Sequence, residues 1–455
     1  MRRKGLKISN MFRLQHVQGD RLRYIQILAY GSLMLPLAMG FSILIMIIPT
    51  YYGMNLELGL GIVGGVIAAG RVFDFISDPI IGNLSDRTRG PLGARKPWII
   101  GGLFLFIFAT YGLFVPPDSP TILYVFMAAC VYFLAFTLVD IPLSAMGLEI
   151  SKNTHERTLL AGSKLVCFVI GGIIGALIPT LYPSNLPQAL SYVVMAILLT
   201  TLIVLPFFLI IVPTTAPSEA PTRRLSFSTF YQPYKNFFYH KNIRRIIGVF
   251  FLVMLCRSLS ASLALLYLSY ILIAPDLIGP VWILGGLGLL CGVPVWYVLS
   301  KTLGKVRVWR LGILASICLA IPLLTLGEGD TVLMMVLAFG FGVSGASEVM
   351  MPTSLLADHI ANETEKKRDV HPAALAALKN ALSKLSVIAP LAIAFPVLGA
   401  IGLSNLTTET GDIANKVSAV QSATLICCYA GIPLILRCIA FLMMPRLWHE
   451  LTLRP

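Results

Sequence analysis

The sequence predicts an all-α membrane protein, with twelve transmembrane helices arranged as two six-helix bundles. Three observations carry that prediction. Of 455 residues, 57% are hydrophobic and only 12% charged, about half the charged share of a soluble domain. Twelve apolar stretches of about 20 residues or more can be marked, each able to cross a hydrocarbon core about 30 Å thick. A hydrophilic interruption at 214–245 divides them six and six. This composition excludes a soluble enzyme, a disulfide scaffold and a disordered chain. A β-barrel is excluded because the runs are continuously apolar rather than alternating.

The stretches cover 24–52, 58–84, 98–116, 121–149, 158–182, 187–213, 246–273, 277–299, 311–328, 331–357, 373–403 and 419–445. Basic residues orient them. Of 35 Lys and Arg, 28 fall in loops on one side, six lie inside spans, and Lys416 alone falls in a loop on the other side. That positive-inside pattern puts the segments 1–23 and 446–455 and the 214–245 loop in the cytoplasm, flanking bundles at 24–213 and 246–445. The net charge of +14 is therefore a topology signal, and no nucleic-acid partner is expected. The segment 1–23 is basic but lacks a signal-peptide core and cleavage site, so the first span is expected to persist as a helix.

Eight cysteines (Cys130, Cys167, Cys256, Cys291, Cys318, Cys427, Cys428, Cys438) all fall within spans, without metal-ligand spacing. They read as reduced packing residues. The six histidines are scattered, and none pairs with a Ser or Cys in a nucleophile motif. No enzymatic activity, resident metal or cofactor is expected. In the 214–245 loop, basic residues such as Arg223, Arg224 and Lys235 interleave with Phe227, Tyr231 and Tyr234. This suits an interfacial helix against anionic headgroups better than a protein-binding site. Two bundles of six joined by a cytoplasmic loop is the architecture of the major facilitator superfamily, whose substrate site lies between the halves at mid-membrane.

Ionisable residues inside a membrane are costly and mark function. Four acids (Asp74, Asp78, Asp140, Glu348) and six bases (Arg71, Lys164, Arg257, Lys379, Lys384, Arg437) are buried in the membrane by position. Span two reads Arg71-Val-Phe-Asp74-Phe-Ile-Ser77-Asp78-Pro79, and positions 71, 74 and 78 share one helical face. Two carboxylates one turn apart repel unless a cation or proton sits between them. Thr137 and Asp140 share a face of span four. The three carboxylates with the Thr137 and Ser77 hydroxyls supply the oxygen shell a small hard cation needs. The competing reading is a structural Arg71–Asp74 pair beside a capped, protonated Asp78.

Arg257 falls close to the middle of span seven. With Lys164 and Lys379 it suits an anionic group (a carboxylate, sulfonate or phosphate), because a guanidinium binds such groups in bidentate fashion. The alternative is a structural bridge from Arg257 to Glu348 across the halves. Tyr267 and Tyr270 are candidates to line the same cavity, with packing the competing role. Arg437 is expected to snorkel or to pair peripherally. The loop Gly82-Asn-Leu-Ser-Asp86-Arg87-Thr-Arg89-Gly90 suits a latch between cytoplasmic helix ends, with Asp86 paired to Arg157 or to a neighbouring helix end.

The run from Arg71 through Asp74, Asp78-Pro79, Gly82, Asp86-Arg87 and Arg95-Lys96-Pro97-Trp98 resembles the glycoside-pentoside-hexuronide:cation symporters, the melibiose-permease family. Further matches are Asp140-Ile-Pro142, Glu156-Arg157-Thr158, Leu355-Leu-Ala-Asp358 and Lys384. The resemblance covers nearly the whole chain, and Asp-x-x-x-Asp-Pro is its most specific part. It implies that Asp74 and Asp78 are the coupling-cation carboxylates, with Asp140 shared between cation and substrate and Thr137 in the cation shell. It places Lys384 near the cation site and Lys164 at a sugar contact or cytoplasmic gate. Ser77 stands where melibiose permease has Asn, so sodium, lithium and protons all stay open as coupling ions.

Two positions depart from the galactoside pattern: Ala38 replaces an acid in span one, and Ser144 replaces a Trp in span four. Sugar hydroxyls need polar acceptors to offset dehydration, so galactoside recognition of that kind is not expected. The resulting expectation is a monomeric, cation-coupled (sodium or proton) symporter in the cytoplasmic membrane. It carries a sugar or sugar derivative, an acidic one in view of Arg257, Lys164 and Lys384. The alternative is transport of a lysolipid or other amphiphilic anion, from a more distant likeness to sodium-coupled lysolipid transporters and the apolar wall at Ala38.

Overall fold

The computed structural model describes residues 22–151, 154–182, 185–213, 241–365, 372–403 and 418–451. Among the described residues, twelve helices are long and apolar enough to cross a membrane. They are α1 (Tyr24–Met46), α2 (Leu60–Arg87), α3 (Lys96–Phe114), α4 (Ile122–Gly147), α5 (Leu159–Leu181), α6 (Leu186–Ile211), α7 (Arg244–Tyr270), α8 (Pro275–Leu303), α9 (Lys305–Leu324), α10 (Thr331–Leu356), α11 (Ala381–Ala400) and α12 (Ala419–Met444). Helices are the outcome because hydrocarbon offers the backbone no hydrogen-bond partner other than itself. The interfacial helix expected in the 214–245 loop lies, for residues 214–240, outside the described residues.

Two boundaries differ from the hydropathy reading. The first stretch, expected to run to 52, leaves α1 at Met46 and continues as a short Pro49-containing helix and a π-helical turn, Tyr51–Asn55. The ninth begins at Lys305 rather than 311, because helical hydrogen bonding continues through Lys305, Arg307 and Arg310 whatever their polarity. Gly304, at φ 82°, turns the chain into it.

In the N-terminal half α1 packs on α5, and α4 on both α2 and α3. In the C-terminal half α7 packs on α12, and α10 on both α8 and α9. The halves meet through α2 with α11, α5 with α8 and α1 with α7. The first helix of each half ends in the same way. A left-handed residue (Glu57, φ 57°; Ile273, φ 55°) precedes an amide that donates back six residues, Leu58 to Tyr52 and Ala274 to Leu268. That matched ending is what a repeated six-helix unit leaves behind.

The α8–α10 contact is close enough to require glycine. A Cβ on Gly288 would fall 2.2 Å from the Phe339 carbonyl oxygen, and the Trp296 indole donates to the Val343 carbonyl at 2.6 Å alongside. Gly288→Val is expected to cost about 1–3 kcal/mol or more through overpacking. A lowered melting temperature of the purified protein checks this.

One core runs through the N-terminal half and, at the end carrying the α1–α2 connection, takes in Tyr267, Leu398 and Leu403 of the other half. A second core (Trp296, Trp309, Leu355, Met444) is built from the C-terminal half alone. The halves are therefore packed together at the α1–α2 end. Within the spans the Asp140, Lys164 and Arg257 side chains keep 24%, 21% and 32% exposure.

Candidate functional site

The face of α2 predicted to carry Arg71, Asp74 and Asp78 turns to the meeting line of the two halves. Asp74 is fully buried, with Arg71 Nη1 3.3 Å from its Oδ2. The Arg71 guanidinium lies over Phe133 and Phe41, 4.2 and 5.1 Å from the ring centres. From α4, the Thr137 hydroxyl donates to Asp74 Oδ1 and stands 3.1 Å from Asp78 Oδ1. From α11, in the opposite half, Lys384 Nζ reaches to 3.0 Å from Asp74 Oδ2 and 2.7 Å from Asp78 Oδ1. An ammonium thus sits where two carboxylates and a hydroxyl converge, and that shell of oxygens is what a sodium ion or a proton would also use.

Asp140, one turn beyond Thr137, is outside this knot. Lys164 of α5 pairs with it at 2.5 Å and also donates to Ser144 at 2.6 Å. Ser144, the residue in place of an aromatic, thus becomes part of a polar wall.

The structure corrects several expectations. Ser77 is not part of the oxygen shell: its hydroxyl donates to the Asp74 backbone carbonyl at 2.9 Å. Asp78 is not capped and alone, because Lys384 pairs with it. Lys384 itself contacts the carboxylates rather than an open substrate wall. Tyr267 does not line a cavity: it is fully buried, stacks on Tyr429 at 4.1 Å and donates to the Leu323 carbonyl at 2.6 Å. Tyr270 is buried too, its hydroxyl 3.6 Å from Met54 Sδ at the closed end. Ala38 packs at the α1–α5 contact near Gly171 and offers no wall to an acyl chain.

Arg257 and Glu348 do face each other at 3.7 Å, but both belong to the C-terminal half, so the pair does not bridge the halves. Arg437 neither snorkels nor sits peripherally; it is buried. Asp358 and Lys379 lie outside the residues whose side chains are described.

At the far end of α2, Asp86 pairs with the start of the neighbouring α3 rather than with Arg157. Arg95, buried just before α3, contacts Asp86 and Glu149 at 2.5 Å each and donates to Ser85 at 2.7 Å. Burial works against the Arg95 charge, but the Glu149 and Asp86 carboxylates more than offset it and raise its pKa. Arg157 instead donates to the Ser151 carbonyl at 2.7 Å, and Arg87 is exposed. Glu149 escaped the sequence reading; its only signal was an acid at the edge of span four. Arg95→Ala is expected to cost about 1.5–3 kcal/mol, the worth of hydrogen bonds to charged groups, measured as a fall in melting temperature.

Twelve helices among the described residues, in two halves with paired charges where the halves meet, define the major facilitator fold. The sequence pattern of the MFS/sugar transport protein family matches residues 29–447, and the chain belongs to that family. The uncharacterized symporter sll1374 of Synechocystis sp. is 32% identical over 167 residues, 35% of this chain and 30% of its own length. The inner membrane symporter YicJ of Escherichia coli is 31% identical over 116 residues, 25% of each chain. The matched segments thus span less than a third of these curated relatives. A solved structure of the nucleoside transporter NupG aligns with a TM-score of 0.63 over 92% of this chain and 99% of that one, at 14% identity, a likeness of fold.

Proposed function

We propose that this protein is a cation-coupled symporter that carries a sugar or sugar derivative, an acidic one, through the membrane by alternating access. The observation that carries the reading is the convergence of Asp74, Asp78 and Thr137 from one half on Lys384 from the other. In the cation-free protein Lys384 neutralises the carboxylates and ties the halves together. A sodium ion or proton entering the shell replaces the ammonium and releases that tie. Cation occupancy thereby shifts the balance between the two conformations, which is the differential interaction coupling requires. A cleft beside the shell, lined by the partly exposed Asp140 and Lys164, brings substrate hydroxyls to a pair whose charge balance follows the cation. Arg257, partly exposed across the cleft, receives the anionic group.

The excess of basic loops supports cytoplasmic termini, and the cleft then opens to the cytoplasm. The likeness to an inner membrane symporter supports residence in the inner membrane, and the protein acts as a monomer.

The test is the melting temperature of the purified protein in sodium, in choline and across pH, with neutral sugars, hexuronates and lysolipids. Ligands that bind only the folded state raise it by mass action. A sodium- or proton-dependent rise with a sugar is expected. A rise with lysolipid alone, or a sugar response indifferent to every cation, overturns the reading. A second measurement separates the role of Lys384 from simple packing. Lys384→Gln is expected to retain exchange of substrate across the membrane while net uptake falls about tenfold or more, since the empty carrier has lost its own cation.

A further inference from the structure

The contact that closes the α1–α2 end holds a small cavity that the cation shell does not account for. Helices α1, α2 and α4 line it from one half and α7 and α11 from the other, and it has room for about one water molecule. Leu391, whose carbonyl oxygen lies 2.5 Å from where a Cβ on Gly64 would stand, is part of the lining. The cavity therefore sits on the line where the halves touch.

Arg71 reaches it from the side of the carboxylates. Its Nη1 lies 3.3 Å from Asp74 Oδ2, while its Nη2 is buried and has no hydrogen-bond partner among the described residues. A buried N–H of a charged group left unbonded is costlier than a neutral one. Ser262 of α7, 3% exposed, lines the cavity from the opposite half. Ser258, one turn earlier, and Ser260 bond to the carbonyls of Ser386 and Tyr429 within their own half; Ser262 instead faces the other half. Ile45 supplies a third polar group. It lines the cavity, and the residue four positions on is Pro49, which has no N–H to give to the Ile45 carbonyl.

A buried water needs a few polar partners, and these groups offer one donor, one hydroxyl and one acceptor. The charges nearby cancel among the described residues, with Arg71 and Lys384 against Asp74 and Asp78. The occupant therefore needs no charge of its own, and an apolar one would leave Nη2 unbonded.

Resting on the alternating-access reading, we propose that one water bound between Arg71 and Ser262 clamps the two halves together at the α1–α2 end. The water accepts from Arg71 Nη2 and donates to Ser262 Oγ and the Ile45 carbonyl. Movement of α7 and α11 away from α2 breaks the bridge. Because Arg71 also pairs with Asp74, the clamp is joined to the cation shell, and Ser262 is a positioning residue for the closed conformation.

The experiment has two readouts on the full-length protein in choline buffer. The first is X-ray radiolysis, in which hydroxyl radicals formed from bound water oxidise the side chains beside it, followed by peptide mass spectrometry. Phe133, which lines the cavity, and Phe114, which does not, are each 1% exposed. Phe133 is expected to be oxidised several-fold faster than Phe114. The second is the rate at which Leu398→Cys, fully buried at the closed end, reacts with a membrane-impermeant thiol reagent. Added to that background, Ser262→Val is expected to raise the rate about tenfold, the worth of a hydrogen bond to a charged group, and to remove the excess oxidation of Phe133. Ser262→Thr has the shape of valine but keeps the hydroxyl, and should behave as the parent. Should Ser262→Val fail to fold, Ser262→Ala, which adds no bulk, takes its place with the same expectation. Phe133 oxidised no faster than Phe114 overturns the bound water. Equal thiol rates in the valine and threonine variants overturn the clamp, since packing would then explain both. The melting temperature of the same parent in sodium and across pH keeps the two readings apart. A cation response beside a failed clamp leaves the symporter standing, and a parent without any cation response removes the symporter and, with it, the clamp as a step of transport.

Discussion

Replacing Asp78 with asparagine is expected to abolish the cation-induced rise in melting temperature while leaving a folded protein. Asp78 is partly exposed and its contacts are Lys384 and the Thr137 hydroxyl, so its loss leaves one cleft-side ammonium that still has Asp74 at 3.0 Å. The cation loses a full charge and a ligand oxygen. At a concentration one hundred times Kd, a bound ion stabilises the folded state by about 2.7 kcal/mol, and that whole increment should vanish. Asp74→Asn is the harsher change. It strips Arg71 and Lys384 of a fully buried partner, and removing one member of a buried pair costs about 3–5 kcal/mol. The two variants therefore separate site from scaffold. Both should lose cation-dependent uptake, but only Asp74→Asn should also lower the melting temperature in choline. Sodium or proton dependence retained in both would refute the assignment.

Gly64→Leu is expected to stop turnover by keeping the halves from closing at the α1–α2 end. A Cβ at Gly64 would fall 2.5 Å from the Leu391 carbonyl oxygen and 2.7 Å from Phe395 Cβ, and the first of these is α11 backbone, which cannot rotate away. Overpacking of this kind costs about 1–3 kcal/mol, and the whole cost falls on the conformation in which α2 and α11 touch. At the upper end that is a population shift of about two orders of magnitude toward the state open at this end. A thiol placed at Ile67, in the same contact, should become reactive to a membrane-impermeant reagent in Gly64→Leu and stay protected in the parent. Normal uptake, or unchanged protection, would show that this contact is not the one that opens.

The cation shell was the most legible part of the site. Arg71, Asp74 and Asp78 are spaced for one helix face, and a helix presents such residues together wherever it is packed. Thr137 and Asp140 obey the same rule, yet the structure separates them. Thr137 joins the α2 carboxylates, while Asp140 turns to Lys164. Ser77 failed for a local reason, since a serine hydroxyl in a helix can bond to its own backbone, as it does here. Tyr267 and Arg437 failed for a tertiary one. Hydropathy says that a side chain lies at mid-membrane, but not whether it faces lipid, a neighbouring helix or a cleft.

The sequence by itself determined the twelve helices, the two halves, the family and the charged face of α2. The helices and the charged face follow from rules acting within one helix: hydrocarbon forces the backbone to bond internally, and the helical period decides which residues share a face; the halves rest on the 214–245 interruption and the family on the resemblance of its motifs. Only the tertiary structure decided that Lys384, 306 residues from Asp78, holds the carboxylates where a cation would sit. It alone decided that Arg257 and Glu348 face each other, and that Asp86 latches to Arg95. Those partnerships depend on which helices pack together and at what distance. A spacing within one helix carries no information about that.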